Sequence, residues 1–325
     1  MVRFITQMRQ RGIPVERTCM ALAQAGIRFS DRAYRAARAR GPSARQVCDE
    51  QIKDKLRSLH TPNRLGRKAP ESMYGVRKMW VWLKANGFPE IARCTVARLM
   101  AELGYQGIRR GKGVITTRRG KDKRPEDLVN RDFTTGAPNR AWVVDFTYVP
   151  TRAGFVYTAF VSDLYSARIL GWETSSRANQ DLVDQALKMA LHTRRQEGHP
   201  LPVGPAIPEE VKVIHHGDAG SVYTSHKYTE NLQLEGLRPS VGTTGDAYDN
   251  ACAESLIGLY KTEALRADSP FRTGPLTGLG DVEYLTAAWV HWYNNERIHT
   301  KAGNTTPIKA ENHYHQNGAR YRAAA

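Results

Sequence analysis

Three strand-like runs follow one another behind Pro138, and they constrain the fold more than any other feature. Residues 141–150 (AWVVDFTYVP), 155–163 (FVYTAFVSD) and 167–175 (ARILGWETS) are rich in β-branched and aromatic side chains. Their connections are too short to hold a helix, so the three are expected to pair antiparallel. A helix follows over 178–198, with Leu182, Ala186, Met189 and Ala190 on its inner side. A short strand at 211–215, a helix at 225–235 and a strand at 237–241 come next, and helices at 248–265 and 280–298 close the series. Antiparallel strands followed by alternating helices and strands specify an α/β chain with a mixed sheet flanked by helices.

The residues before Pro138 read differently. Helices are expected at 11–26 and 43–60, then a basic loop at 61–70 containing two prolines and a glycine. Residues 71–86 (ESMYGVRKMWVWLKAN) and 94–103 (CTVARLMAEL) form two short helices around a Gly87-Phe88-Pro89 turn. Helix, glycine turn, helix is the outline of a helix-turn-helix near 71–104, within an all-α region. Charge sharpens that outline. The chain carries a net +16, but residues 1–140 alone carry +19 and residues 141–325 carry −3. Arg109 to Arg124 supply eight basic residues against one acid, Asp122, which no packed element tolerates. The expected organisation is a helical DNA-binding region at 1–106, a basic linker at 107–137, an α/β core at 138–310 and a tail at 311–325. Double-stranded DNA is the partner such a front half implies. Arg93 and Arg98 on the second helix, and Arg109, Arg110, Lys112, Arg118 and Arg119 on the arm, are the candidate contacts.

Composition removes other classes. Hydrophobic residues at 41% supply a sizeable core. No apolar run approaches the ~18 residues of a membrane span, and MVRFITQMRQRG has no apolar core for export. Cys19, Cys48, Cys94 and Cys252 lie far apart, without zinc or disulfide spacing, so a reduced, cytoplasmic protein is expected. No G-x-x-x-x-G-K-[ST] run is present to hold ATP.

Three acids stand out by context. Asp145 interrupts an apolar strand, where a carboxylate costs several kcal/mol unless paired or metal-bound. Asp218 follows the run VKVIHH at a strand end, and Glu254 lies on a helix opened by Asp249-Asn250. At ~100° per residue, Asn250, Glu254, Gly258 and Lys261 fall on one face of that helix. Cys252, Leu256, Leu259 and Tyr260 fall on the core side. Gly258 would leave room for a DNA backbone, and Lys261 would touch a phosphate. Three such carboxylates can hold two Mg²⁺ about 4 Å apart for in-line phosphoryl transfer, with Mn²⁺ as a substitute. His215 and His216 are expected to brace the Asp218 loop, Asp246 and Asp249 to make a turn and a cap, and Trp289, Trp292 and Tyr293 to be core. Arg297 and His299 read either as DNA contacts or as a basic helix C-terminus.

WVVDFTY, HHGDAGSVYTS and GDAYDNACAESLIGLYKTE together resemble the signatures of bacterial insertion-sequence transposases of the OrfB type, which have an integrase (DDE) catalytic core. Thirty-five residues separate Asp218 from Glu254, and a lysine follows seven positions after the glutamate. YGVRKMWVWL, ARCTVARLMAELGYQGIRRGK, PNRAWVVDFTYV and YNNERIHTKAGNTTP extend the resemblance over roughly residues 10–310. It implies a ribonuclease-H-like fold, with Asp145, Asp218 and Glu254 as catalytic metal ligands. It also implies cleavage and strand transfer at element ends through a circular intermediate. A homo-oligomer on DNA, an upstream-frame OrfA partner or fusion, and association with the bacterial nucleoid follow from the same likeness. Ala219 and Val222 depart from the family's common Arg and Gln. A catalytically inactive DNA-binding regulator and a structure-selective nuclease are the two other readings of the same residues.

Overall fold

A computed structural model describes residues 1–109, 128, 135–204, 206–218, 223, 226–241 and 251–323 of the chain, with the side chains of 226–227 and 318–323 excepted. The chain divides into two compact units, Met1–Leu56 and Arg57–Ala325.

The first unit contains α1 (Val2–Gln10), α2 (Val15–Gln24), α3 (Asp31–Ala39) and much of α4 (Ala44–His60), which crosses the division. Ile5, Cys19 and Tyr34 form its buried centre, with Val2, Val15, Leu22 and Phe29 packed around them. Ser30 caps α3 by accepting the Ala33 amide at 3.1 Å. α1 and α3 come in addition to the two helices expected here, and each turns one side to that centre through Ile5 and Tyr34. The unit boundary falls at residue 56, whereas composition places a change of texture near 106.

In the second unit a 3₁₀ turn at Pro70–Met73 leads into α5 (Val76–Ala85) and α6 (Arg93–Glu102). Gly75 separates the turn from α5, so the helix expected from 71 starts at Val76. Met79, Leu83, Val96, Leu99 and Met100 are buried. The Trp80 Nε1–H donates to the Ile91 carbonyl at 2.8 Å and fixes the turn between the helices.

The strands are β1 (Ala141–Thr151), β2 (Gly154–Asp163), β3 (Ile169–Ser175), β4 (Val213–Gly217) and β5 (Leu237–Val241). They form one sheet in the order β3-β2-β1-β4-β5. β1 pairs antiparallel with β2, and β2 with β3; β1–β4 and β4–β5 are parallel. Five further helices surround it: α7 (Gln180–Gln196), α8 (His226–Leu234), α9 (Ala251–Glu263), α10 (Leu279–Asn295) and α11 (Pro307–Ala323). This is the ribonuclease-H-like architecture.

α7 packs on β2 and β3 so closely that a Cβ on Gly171 would lie 2.1 Å from the Ala186 carbonyl oxygen. Trp142, Val144, Val161, Leu182, Ala186 and Ala190 are in that core. On the other face Ala141 and Val143 meet Ala253 of α9. Phe160 packs edge to face with Tyr260 and Trp289 there, and Tyr260 tilts against Trp289, with centroids 5.0–5.9 Å apart.

The expected tail at 311–325 is instead largely helical, since α11 runs from Pro307 to Ala323. Its anchor is a charge. The Glu311 carboxylate is 2% exposed and accepts two hydrogen bonds from Arg194, at 2.7 and 2.9 Å. Arg168 donates to it at 2.8 Å and Ser166 Oγ at 2.7 Å. Arg194 also reaches Asp163 at 3.1 Å, and Glu197 pairs with Arg168. Ion pairs bind α11 to the end of β2 and to α7, and ring contacts of Tyr314 with Tyr165 and of His315 with His199 add to them.

Candidate active site

β1 and β4 carry the first two acids to one place. In their parallel ladder Val143 is opposite His216, so Asp145 and Asp218 each lie two residues beyond the same rung. Asp218 thus follows the carboxyl end of β4, and Asp145 lies in the middle of β1, just beyond the stretch that pairs with β4. The strand expected at 211–215 is displaced to Val213–Gly217, and Val211 belongs to a 3₁₀ turn, so Asp218 follows the strand directly. A Cβ on Gly217 would come within 3.1–3.2 Å of the Tyr223 ring and Val144, so a larger residue would press on the base of this loop.

Alternation along β1 sets where Asp145 points. Ala141 and Val143 face α9, Trp142 and Val144 face α7, and Asp145 shares the parity of the first pair. Glu254 lies in the first turn of α9, a favourable end of the helix for negative charge, and is exposed. Asp145 accepts a hydrogen bond from the Phe146 amide at 2.8 Å. Its carboxyl is nonetheless pushed up to about 7, chiefly by burial and then by the Asp218 and Glu254 carboxylates. The Phe146 amide and Lys261 act in the opposite direction. Asp145 thus feels all the charges expected of the site. Among the described residues no three His, Cys, Asp or Glu side chains are already gathered closely enough to hold a metal ion.

A raised acid pKa makes the folded protein bind more protons than the unfolded chain between pH 3.8 and about 7. Stability from this group is therefore lost as pH rises through that window and stays lost above it. Asp145→Asn is expected to raise the metal-free stability at pH 8 by on the order of 3–4 kcal/mol, and to change little at pH 4. Urea denaturation at the two pH values measures the difference. Equal stability of the variant and the wild type at pH 8 would show that Asp145 carries no such penalty.

Lys261 projects from the last turn of α9, exposed, with Nζ 5.4 Å from the centroid of the Tyr148 ring. Glu254 and Lys261 do lie on the solvent side. Gly258 between them does not: it is buried and lines a cavity of about 420 Å³ with Tyr74, Lys78 and Trp292. The room beside Gly258 is this cavity, one wall of which is the 73–78 segment. Cys252 and Leu259 are only partly buried, and Ala253 and Ile257 take the deeper positions.

Both histidines are buried, with His216 Nδ1 2.8 Å from Ser240 Oγ and His215 edge-on to Tyr228. Burial holds His215 down to about 3, so its ring is neutral. They join β4 to its neighbours, beneath Asp218. Arg297 is buried and donates to Glu263 at 2.6–3.1 Å, and His299 lies beside it at 3.2 Å. Neither side chain is available to DNA. Trp289, Trp292 and Tyr293 are core.

Of the expected DNA contacts, Arg93 is exposed at the start of α6, and Arg98 is partly buried and paired with Glu102 at 2.8 Å. Arg109 is exposed. Arg110, Lys112, Arg118 and Arg119 lie outside the described residues, as do Ala219, Val222, Asp246, Asp249 and Asn250. Among the described residues no helix is long and apolar enough to cross a membrane.

Two family profiles described as integrase core domain match residues 136–247 and 235–307, and one described as HTH-like domain matches 48–113. A transposase named for insertion sequence element IS986/IS6110 of Mycobacterium tuberculosis is 43% identical over 277 residues, 85% of this chain and 92% of that protein. The transposase for IS629 of Shigella sonnei is 41% identical over 84% of this chain and 83% of its own length. Among solved structures, a simian T-cell lymphotropic virus intasome matches with a TM-score of 0.42 at 15% identity, covering 73% of this chain and 70% of that one. That last likeness is too low to add to the sheet order. Sheet, family profiles and relatives agree: the chain belongs to the insertion-sequence transposases built on an integrase core domain.

Proposed function

We propose that this protein cuts duplex DNA at the ends of an insertion sequence and joins the freed 3′-hydroxyl to a second phosphodiester. Asp145, Asp218 and Glu254 hold the two Mg²⁺ ions that this requires. The carrying observation is the register that sets Asp145 and Asp218 two residues beyond one rung of β1 and β4; burial, with the charges of Asp218 and Glu254, pushes the Asp145 carboxyl up to about 7. Such a group is unfavourable in the protein alone and is relieved by a divalent cation. An all-carboxylate donor set suits a hard ion, Mg²⁺ with Mn²⁺ as a substitute. Two ions bound there supply charge stabilisation to both the attacking and the leaving oxygen of an in-line displacement.

In cleavage a water oxygen bonds to phosphorus as the P–O3′ bond breaks, and the departing oxygen takes a proton to become the 3′-hydroxyl. In joining, that hydroxyl attacks a second phosphorus and displaces another 3′-oxygen. One P–O bond forms for each that breaks, so no ATP is needed. Asp145 and Asp218 anchor the site on the rigid sheet, and Glu254 closes it from α9.

The helix-turn-helix, through Arg93 and Arg98, and the basic arm from Arg109 onward bind the element ends. Arg110, Lys112, Arg118 and Arg119 add phosphate contacts whose affinity falls steeply with salt. The working form is a homo-oligomer holding element ends and target, alone or fused to an upstream-frame OrfA partner, and nucleoid-associated when bound.

An end-labelled duplex carrying one element end tests the reading. Cleavage to a 3′-hydroxyl and joining to target DNA are expected with Mg²⁺ or Mn²⁺ and not with EDTA; binding without cleavage under either metal would refute it. Lys261→Ala is expected to slow joining by about 1–3 kcal/mol, or some 5- to 150-fold, as for a lost charge-assisted contact. Lys309, exposed on α11, is the control, and Lys309→Ala should leave joining unchanged. Equal effects of the two substitutions would reduce Lys261 to a solvated helix lysine.

A further inference from the structure

Two large aromatic side chains stand exposed beside Lys261. Tyr148 on β1 is 45% exposed and Phe155 on β2 is 56% exposed. Tyr148 is opposite Tyr157 in the ladder, so Phe155, two residues before Tyr157, shares its face and sits diagonally across. Their rings meet edge to face with centroids 5.2 Å apart. The Lys261 ammonium lies 5.4 Å from the Tyr148 centroid. β4 pairs only with Ala141–Val143, so from Val144 onward β2 is the one paired strand beside β1 among the described residues. Lys261 can therefore reach the Tyr148 ring past the edge of the strand.

The pair is held in place. The hairpin tip turns at Gly154, whose φ of +114° favours glycine, and Thr151 Oγ donates to the Gly154 carbonyl at 2.7 Å. The Arg152 and Ala153 amides donate to the Leu276 and Thr277 carbonyls, each at 3.0 Å. Tyr148 is three residues beyond Asp145, about 10 Å along the strand and, by the alternation of β1, on the other face of the sheet, where Lys261 meets it round the edge of the strand. That distance is about three base steps at ~3.4 Å each.

We propose that Tyr148 and Phe155, with Lys261, form a stacking platform for an unpaired base of the DNA strand next to the scissile phosphate. This rests on the function proposed above. Exposed aromatic rings offer a π-face, and an adjacent ammonium attracts the phosphate that follows the base; together they are the elements of single-strand recognition. In a duplex both faces of each base are already stacked, so the surface selects frayed or overhanging nucleotides. Tyr148 and Phe155 are substrate-positioning residues that do not touch the reacting atoms.

The test uses the full chain and two probes: a blunt duplex, and the same duplex with a short single-stranded 3′ extension containing 2-aminopurine. The wild type should bind the extended probe more tightly and quench the 2-aminopurine. Tyr148→Ala and Phe155→Ala should each lose about tenfold in affinity for the extended probe, with the quench relieved and blunt-duplex affinity unchanged. Tyr148→Phe should retain both signals. Tyr148→Leu keeps apolar bulk on the strand and should behave like the alanine variant, which separates stacking from loss of fold. Wild-type preference and quench in both alanine variants would overturn the platform. So would a change of oligomeric state in Tyr148→Ala without DNA, which would assign the rings to a second copy. Glu254→Gln should keep the preference for the extension while losing cleavage. Cleavage surviving in that variant would count against the three-acid site and leave the platform standing.

Discussion

Glu254→Gln is expected to lower Mg²⁺-dependent end cleavage and joining by on the order of a thousandfold or more, while DNA binding and thermal stability stay unchanged. Glu254 is exposed in the first turn of α9, so an isosteric amide costs the fold little. The charge is what the site loses, and with it one of the two carboxylates acting on Asp145. Outer-shell partners of a metal typically cost 10–100-fold when removed, and a direct ligand costs more. Single-turnover cleavage of an end-labelled element duplex measures the loss. A rate within tenfold of wild type would remove Glu254 from the site.

The second large effect lies away from the DNA. Glu311→Ala is expected to destabilise the Arg57–Ala325 unit by about 3–5 kcal/mol, the usual cost of removing one partner from a buried ion pair. Arg194 is 1% exposed and would keep only Asp163 at 3.1 Å and Glu197 at 3.4 Å. Arg168 would keep Glu197 alone. The wild-type carboxyl is held down to about 2, because hydrogen bonding and charge from Arg194, with help from Arg168 and Ser166, outweigh the opposing effect of burial.

A depressed acid pKa means that the unfolded chain binds more protons between pH 4.5 and about 2. Glu311 therefore contributes fully above pH 4.5, and its contribution is lost as pH falls through about 2. In urea unfolding, Glu311→Ala should lose both the stability at neutral pH and that acid limb. Lys309→Ala, on the same helix but exposed, should lose neither. A loss below 1 kcal/mol in Glu311→Ala would show that α11 is not held by this network.

The way α11 is held also explains what the amino-acid sequence does not show. PIKAENHYHQNGARYRA has no apolar stripe, so periodicity has nothing to read, and a helix bound by a buried carboxylate looks like a polar tail. Arg297 misleads for the same reason. A charge beside a helix end reads as surface until Glu263, thirty-four residues away, is seen to accept from it. Asp145 is legible because a carboxylate in an otherwise apolar alternation has no bland explanation. Asp218 and Glu254 become legible once their spacing and flanking motifs are taken together. Gly258 shows the limit of a helical wheel: an angle groups it with Glu254 and Lys261, but does not show that it is buried and lines a cavity with the 73–78 segment. The antiparallel β1–β2–β3 part of the sheet follows from short connections, whereas the two-residue displacement of β4 depends on its register with β1 and β5.

The most direct test of the three-acid metal site exchanges one oxygen ligand for sulfur. Asp218→Cys places a soft thiolate where hard Mg²⁺ takes oxygen, while Mn²⁺ accepts it more readily. Strand cleavage of the element-end duplex should be lost in Mg²⁺ and recovered at least in part in Mn²⁺. Asp218→Ala should be inactive in both metals. Cleavage by Asp218→Ala, or wild-type cleavage by Asp218→Cys in Mg²⁺, would contradict metal coordination at this position and with it the proposed chemistry.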